Sequence, residues 1–394
     1  MRYDVHPSLR TSRPRQAVIG GAIFLLVVLV VIWASTSGEP AAETPTLATT
    51  TCLPFTEPTN LAQLNKVVGD YRTNPGFRGG DVGASTTLQD GRSLYVFGDT
   101  LRGASYPGPR FVRNSMLVFS SGCAGLVEEP DHGAVIPDRA DGVGYWPMSI
   151  AAVNRGSYDL VGVMAQRVKT TGPSESDFEN LGPSIALFRV DRGATPQLLK
   201  VVDLEPDDPS RKRPTWGAAG AMHGGWLYLY GTSNPEKPLV FGWALSVARM
   251  RIDDVTDMSR WQFWDGQRWQ KDASKAATLI PAVGGVSQTL SVVEQDGTWY
   301  AISKRDDFLG SDLVVWSAPT PEGPFTAGPS LAHIPSSADG TTLRYMPLAH
   351  PDVLPEPGTM VVSISRNSSD LALIDQDPTR YRPYFIRIRL RPDR

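Results

Sequence analysis

Helical periodicity is almost missing from this sequence after residue 35: no long stretch there repeats apolar residues at helical spacing. Cysteine is scarce. Two in 394 residues are too few for a structural zinc site, and no H-x3-H or HExxH pattern accompanies them. There is no G-x-S-x-G nucleophile elbow, no P-loop, and no G-x-G-x-x-G leading into a helix, which removes α/β-hydrolases, P-loop NTPases and dinucleotide-binding folds. Surplus positive charge is lacking as well. The first 34 residues carry +3, so the remainder carries −6 within a chain total of −3. That balance argues against nucleic acid or an anionic lipid surface as partner. No metal or cofactor is expected.

Glycine (37), proline (33), tryptophan (10) and tyrosine (12) are plentiful, a mix that favours many short strands joined by turns. Ala17 to Ala34 is an exception, 18 residues without a charge. As a helix it rises about 27 Å, enough to cross a bilayer core. Four arginines and one aspartate precede it, and Glu39 and Glu43 follow. The expected organisation is therefore a cytoplasmic N-terminus (1–16), a single-pass transmembrane anchor (17–34), a Ser/Thr/Pro/Ala-rich linker (35–53) and an extracytoplasmic domain (54–394) at the cell membrane. The alternative for 17–34 is a cleaved signal peptide, although "IWASTSGEPAA" is a mediocre cleavage site. Cys52 and Cys123 both fall on the oxidising side, where a pair is expected to form a disulfide. By loop-closure entropy that bond stabilises by roughly 4 kcal/mol.

Past the linker, a glycine turn followed by a short apolar strand recurs five times: DG-RSLYVFGD, RG-SYDLVGVM, GG-WLYLYGTS, DG-TWYAISKR and PG-TMVVSISR. The turn glycines, Gly91, Gly156, Gly225, Gly297 and Gly358, lie 65, 69, 72 and 61 residues apart. A strand precedes each glycine and a third follows each second strand. Five equal units predict an all-β, five-bladed β-propeller over residues 54–394, in preference to a β-sandwich with a β-rich appendage. The last unit runs short of sequence, so LAQLNKVVGDY (61–71) is expected to supply its outer strand.

In the first hairpin the loop QDG (89–91) pairs residues whose numbers sum to 180. Val82, Ala84, Thr86 and Leu88 then share an apolar face with Leu94 and Val96, and Asp81 stands opposite Asp99. Like charges so opposed are destabilising unless something uses them. Two neighbouring carboxyls are the machinery of glycoside hydrolysis: one protonates the leaving oxygen, the other activates water or attacks the sugar. Both would sit at the mouth of the central channel. Their expected separation is about 5–9.5 Å; about 5–5.5 Å implies retention and about 6.5–9.5 Å inversion. The bland reading is that Asp99 ends a strand and Asp81 caps a glycine loop. Counting from the other turn glycines brings Trp146 and Arg305 to the same rim, with Trp216 and His350 one and two residues beyond the counted positions Thr215 and Leu348. All four are groups suited to stacking on or bonding a sugar.

The run GGDVGASTTLQDGRSLYVFGDTLRG (79–103), followed by RNSML (113–117), resembles a bacterial family of five-bladed propellers formerly of unknown function. That family is now linked to endo-D-arabinofuranase activity on the D-arabinan of actinobacterial cell walls. The resemblance covers most of residues 54–394, with its specific part in the first blade. It implies that Asp81 and Asp99 form the catalytic pair, and it favours inversion. Arg113 and Asn114, which open the second matched run, join Trp146, Trp216, Arg305 and His350 as candidate substrate-binding residues. The expected activity is hydrolysis of arabinofuranosyl linkages in a cell-envelope polysaccharide. The runner-up is a non-catalytic propeller that binds wall glycan or a protein. A calcium-dependent lactonase ranks third, because the rim positions offer too few acids.

Overall fold

A computed structural model of the protein describes residues 48–49, 53–71, 74–172 and 177–390. The expected anchor at 17–34, nearly all of the linker and Cys52 lie outside the described residues. Among the described residues no helix is long and apolar enough to cross a membrane. Cys123 is not a free thiol, but its expected partner falls outside that range.

All five turn glycines adopt positive φ, from +70° at Gly358 to +85° at Gly91. Each closes the hairpin expected of it, and the hairpins organise five antiparallel sheets. The first sheet holds β1 (Ala48–Thr49), β2 (Leu53–Pro54), β3 (Gly79–Thr87), β4 (Ser93–Leu101), β5 (Phe111–Val112), β6 (Ser115–Ser120) and β7 (Cys123–Glu128). The second is β8 (Gly144–Asn154), β9 (Tyr158–Thr170), β10 (Phe178–Asp191) and β11 (Gln197–Asp203). The third is β12 (Thr215–His223), β13 (Trp226–Ser233), β14 (Ala244–Met250), β15 (Gln262–Trp264) and β16 (Trp269–Gln270). The fourth is β17 (Ser291–Gln295), β18 (Thr298–Lys304), β19 (Asp312–Ala318) and β20 (Thr326–His333). The fifth is β21 (Leu343–His350), β22 (Thr359–Asn367) and β23 (Tyr384–Arg389).

The strands β3, β8, β12, β17 and β21 each end their sheet and touch one another in that cyclic order, β21 returning to β3. They are the inner strands of a closed five-bladed propeller, which excludes the sandwich. Four seams between blades are filled with apolar side chains. One example is Val82, Leu94 and Val96 against Val161, Val163 and Phe188 between blades one and two. Another is Ile302, Leu313 and Val315 against Met360, Val362 and Ile364 between blades four and five.

The closing seam between blades five and one is leaner in apolar residues, with Leu64, Val361 and Phe385 buried there. Polar side chains complete it. Buried Arg382 donates to the carbonyls of Arg78 (2.8 Å), Phe77 (3.0 Å) and Val68 (2.8 Å). His350 bridges Ser85 Oγ of the first blade (2.7 Å) and Ser363 Oγ of the fifth (2.8 Å).

Residues 61–71 do not form an outer strand. They form helix α1 (Leu61–Asp70), because Asn60 caps its N-terminus by accepting from Gln63 N, while Leu61, Leu64 and Val68 recur at helical spacing. The helix still covers the fifth blade. Asn65 donates from Nδ2 to Phe385 O and accepts from Phe385 N, both at 2.9 Å, a side-chain imitation of strand pairing.

Candidate functional site

The predicted register of the first hairpin holds from Thr87↔Ser93 to Ala84↔Val96. Two irregularities then intervene. Val82 faces Phe97, and Gly80 regains Thr100. Val82 (φ +65°) and Gly83 (φ +69°) carry this bulge. A β-branched residue at positive φ stores on the order of 1–3 kcal/mol of strain, and such strain clusters at functional sites. The bulge sets Asp81 opposite the Gly98–Asp99 peptide rather than in plain register with Asp99. A side chain at Gly98 would collide with Asp81 Oδ1, so glycine is required there for the carboxyl to lie where it does.

Each acid is held by a ring from a neighbouring blade. Tyr345, on β21, donates its hydroxyl to Asp81 Oδ2 at 2.8 Å. Trp146, on β8, donates Nε1–H to Asp99 Oδ1 at 2.7 Å. Tyr381 fixes the Asp99 backbone by donating to its carbonyl at 2.7 Å. Both aspartates are half-buried. Packing strips water from the Asp81 carboxyl and pushes its pKa up to about 6, against the opposing pull of the Tyr345 hydrogen bond. Burial, then the charge of Asp81, holds the Tyr345 hydroxyl well above its usual range, so it remains a donor.

Each ring is in turn backed by an exposed phenylalanine. Phe178 meets Trp146 edge-on with centroids 4.6 Å apart, and Phe308 lies against Tyr345 at 5.4 Å. One comes from blade two and the other from the loop after β18, so the two flank the acids. Fully buried Lys304 holds that second loop, donating to the carbonyls of Phe308 (3.2 Å) and Arg344 (2.6 Å), and burial lowers its pKa to about 8. Across the mouth, Gln288 Nε2 donates to Gln166 Oε1 at 2.7 Å, joining the fourth-blade region to blade two past the strand between them. Among the described residues no group of three His, Cys, Asp or Glu side chains is placed to hold a metal ion.

The other sequence-derived candidates divide. Trp146 joins the acid pair. Arg113 is tied up nearby, pairing with Asp138 (3.0 Å) and donating to Thr170 Oγ1 (2.7 Å). Arg305 is half-buried at the end of β18. Three expectations of substrate contact are corrected by burial. Asn114 spends both ends of its amide on backbone, bonding Ile136 O, Ile136 N and Tyr145 O. Trp216 packs against Phe263 with 1% of its surface exposed. His350, likewise 1% exposed, is consumed by its two serines.

Counting from the turn glycines fails here because the inner strands bulge near this rim, between Pro147 and Ser149, Trp216 and Ala219, and Tyr345 and Leu348. Each bulge displaces residue number from position. Tyr345 reaches the rim thirteen residues before its turn glycine rather than ten, and so falls outside the count.

Fold and site together define a five-bladed β-propeller with a carboxylate pair at the mouth of its first-blade hairpin. Residues 69–390 match the family described as "Domain of unknown function (DUF5005)", and the chain belongs to that family. Comparison with curated proteins found no match. Among solved structures the chain is similar to a glycoside hydrolase family 43 arabinoxylan arabinofuranohydrolase from Bacillus subtilis, at 14% identity and TM-score 0.45, over 82% of this chain and 65% of that one. It is also similar to CoXyl43, a family 43 β-xylosidase/α-arabinofuranosidase from a compost metagenome, at 11% identity and TM-score 0.43, over 86% and 94%. The family 43 protein BlXynB from Bacillus licheniformis matches at 13% identity and TM-score 0.42, over 74% of this chain and 50% of that one.

Proposed function

We propose that this protein is a glycoside hydrolase that cleaves arabinofuranosyl linkages in the D-arabinan of a cell-envelope polysaccharide. The observation that carries the reading is a pair of neighbouring carboxyls, each held by a ring from an adjoining blade. Asp81 is pushed by burial up to about 6 despite the Tyr345 hydrogen bond, while Asp99 accepts from the Trp146 indole. The D-arabinan substrate rests on the sequence resemblance of residues 79–117.

In the proposed reaction Asp81, protonated, gives its proton to the leaving glycosidic oxygen as the C–O bond breaks. Asp99, ionised, takes a proton from the water whose oxygen bonds to the anomeric carbon, with inversion. Phe178 and Phe308 provide apolar faces for sugar rings on either side. Residues 17–34 would anchor the enzyme with the propeller outside the cell, and a Cys52–Cys123 disulfide would tie the N-terminal segment to the first blade.

The test is incubation of the full-length protein with purified arabinogalactan. Released oligosaccharides are the expected product, with loss of nearly all release in Asp81→Asn and Asp99→Asn. Glycan binding without any release would instead assign the non-catalytic role.

A further inference from the structure

Strands β21 and β22 pair Arg344 directly with Arg366. Side chains so opposed stand roughly 4.5–5.5 Å apart at Cβ, and like charges there are destabilising unless something uses them. Arg366 bonds the carbonyls of Arg382 (2.9 Å) and Thr379 (2.7 Å), and Arg344 bonds that of Pro335 (2.6 Å). Carbonyls orient a guanidinium but do not neutralise it. Among the described residues no carboxylate comes within ion-pair distance of Arg344, Arg366 or the neighbouring Arg380. Elsewhere in the same blade an arginine does find one, Arg387 pairing with Glu356 at 3.3 Å.

The three arginines line one polar pocket of about 250 Å³ with Asn367, Thr379 and Asp377. Asp377 is the single acid in its wall, and its Oδ1 accepts from Thr379 N (3.1 Å) and Thr379 Oγ1 (2.7 Å). The pocket thus holds three cations against one anion. Burial weakens the hold of Arg366 on its proton, and Arg344 adds to this against the pull of Asp377. The pocket also adjoins the acids: Asn367 in its wall donates to the hydroxyl of Tyr345 at 3.4 Å, and Tyr345 donates to Asp81.

We propose that this pocket binds one oxyanion, a carboxylate or phosphate group carried by the glycan seated at Asp81 and Asp99. A planar guanidinium with five donors matches such a group, and two held at adjacent strand positions can share it. That the anion travels on a glycan rests on the functional reading above; the anion site itself does not.

The test is calorimetric titration of the full-length protein with galacturonate, galactose and inorganic phosphate at constant ionic strength. Galacturonate and galactose differ by the carboxylate alone. Galacturonate is expected to saturate one site and galactose to give no saturable heat. Arg344→Gln and Arg366→Gln should each weaken binding at least tenfold, while Asp81→Asn, inactive as a hydrolase, should bind as before. Should Arg366→Gln fail to fold, Arg380→Gln and Arg344→Gln carry the test. Saturation by phosphate without galacturonate would exclude a carboxylate. Galactose 6-phosphate is then the deciding probe: its saturation supports a phosphate carried by the glycan, and its failure makes free phosphate the occupant and overturns the glycan-borne anion. No saturable binding of either anion, or binding that survives the arginine substitutions, overturns the site. A protein that binds the anion yet never releases oligosaccharide would refute hydrolysis and leave the pocket standing.

Discussion

Trp146 of the second blade and Asp99 of the first are joined by an indole N–H to carboxylate hydrogen bond of 2.7 Å. The bond crosses a blade seam, so the orientation of Asp99 depends on how two sheets pack and not on the hairpin alone. Replacing Trp146 by Phe keeps a ring against Phe178 but removes the donor. In the proposed reaction Asp99 must be ionised and aimed at water, so kcat is expected to fall by about ten- to a hundred-fold, with the far-ultraviolet circular dichroism unchanged. Unaltered kcat would show that this hydrogen bond is packing only.

Asp81 contributes the opposite of stability at neutral pH. Its folded pKa, about 6, lies above the ordinary carboxyl value of 3.8, so the folded state holds the proton more tightly than the unfolded chain. Stability therefore falls as pH rises from about 3.8 to 6, and the full penalty is present above 6. Asp81→Asn never ionises. It is expected to be more stable than the parent by about 1–2 kcal/mol at pH 7 and equal to it near pH 3.5, while losing activity. Urea unfolding at the two pH values measures this, and a pH-independent difference would contradict it.

Burial raises the Asp81 pKa, and Tyr345 limits that rise. Its hydroxyl stabilises the ionised form of Asp81, so Tyr345→Phe should raise the Asp81 pKa further. The alkaline limb of the pH profile of kcat/KM is expected near 6 in the parent and at higher pH in the variant. A limb that stays in place would mean that Asp81 is not the acid it reports.

Much of this is legible from spacing. The five turn glycines recur at 61–72 residues because each blade is one hairpin-led unit, and all five have the backbone conformation that a tight turn requires. The first hairpin's register follows from keeping Val82, Ala84, Leu94 and Val96 on one face. The bulges at the rim cannot be counted, because they have no marker comparable to a turn glycine. They put Trp216 and His350 into the protein interior and bring Tyr345 to the acids. Residues 61–71 read as a strand only because the repeat calls for one, although Asn60, Leu61, Leu64 and Val68 already carry a capped helical pattern. Closure between blades is long-range, and nothing local in the sequence ties Arg382 to the carbonyls around Phe77.

His350 supplies the sharpest separation of a structural from a substrate-binding role. Buried between Ser85 and Ser363 across the closing seam, it is held neutral, its pKa lowered to about 3 by burial. In the unfolded chain it takes up a proton near pH 6.5. Its contribution is thus fully present above pH 6.5 and is lost as pH falls from there toward 3. His350→Ala removes both hydrogen bonds and leaves a cavity, so it should lower stability by about 2–4 kcal/mol at pH 7. The variant has no imidazole to protonate, so its deficit should shrink by roughly 2–3 kcal/mol at pH 4, at about 1.4 kcal/mol per pH unit. Urea unfolding of parent and variant at both pH values gives the comparison, with KM for arabinan oligosaccharides at pH 7 expected to stay within about twofold for the folded variant. A raised KM with unchanged stability would return His350 to the sugar site.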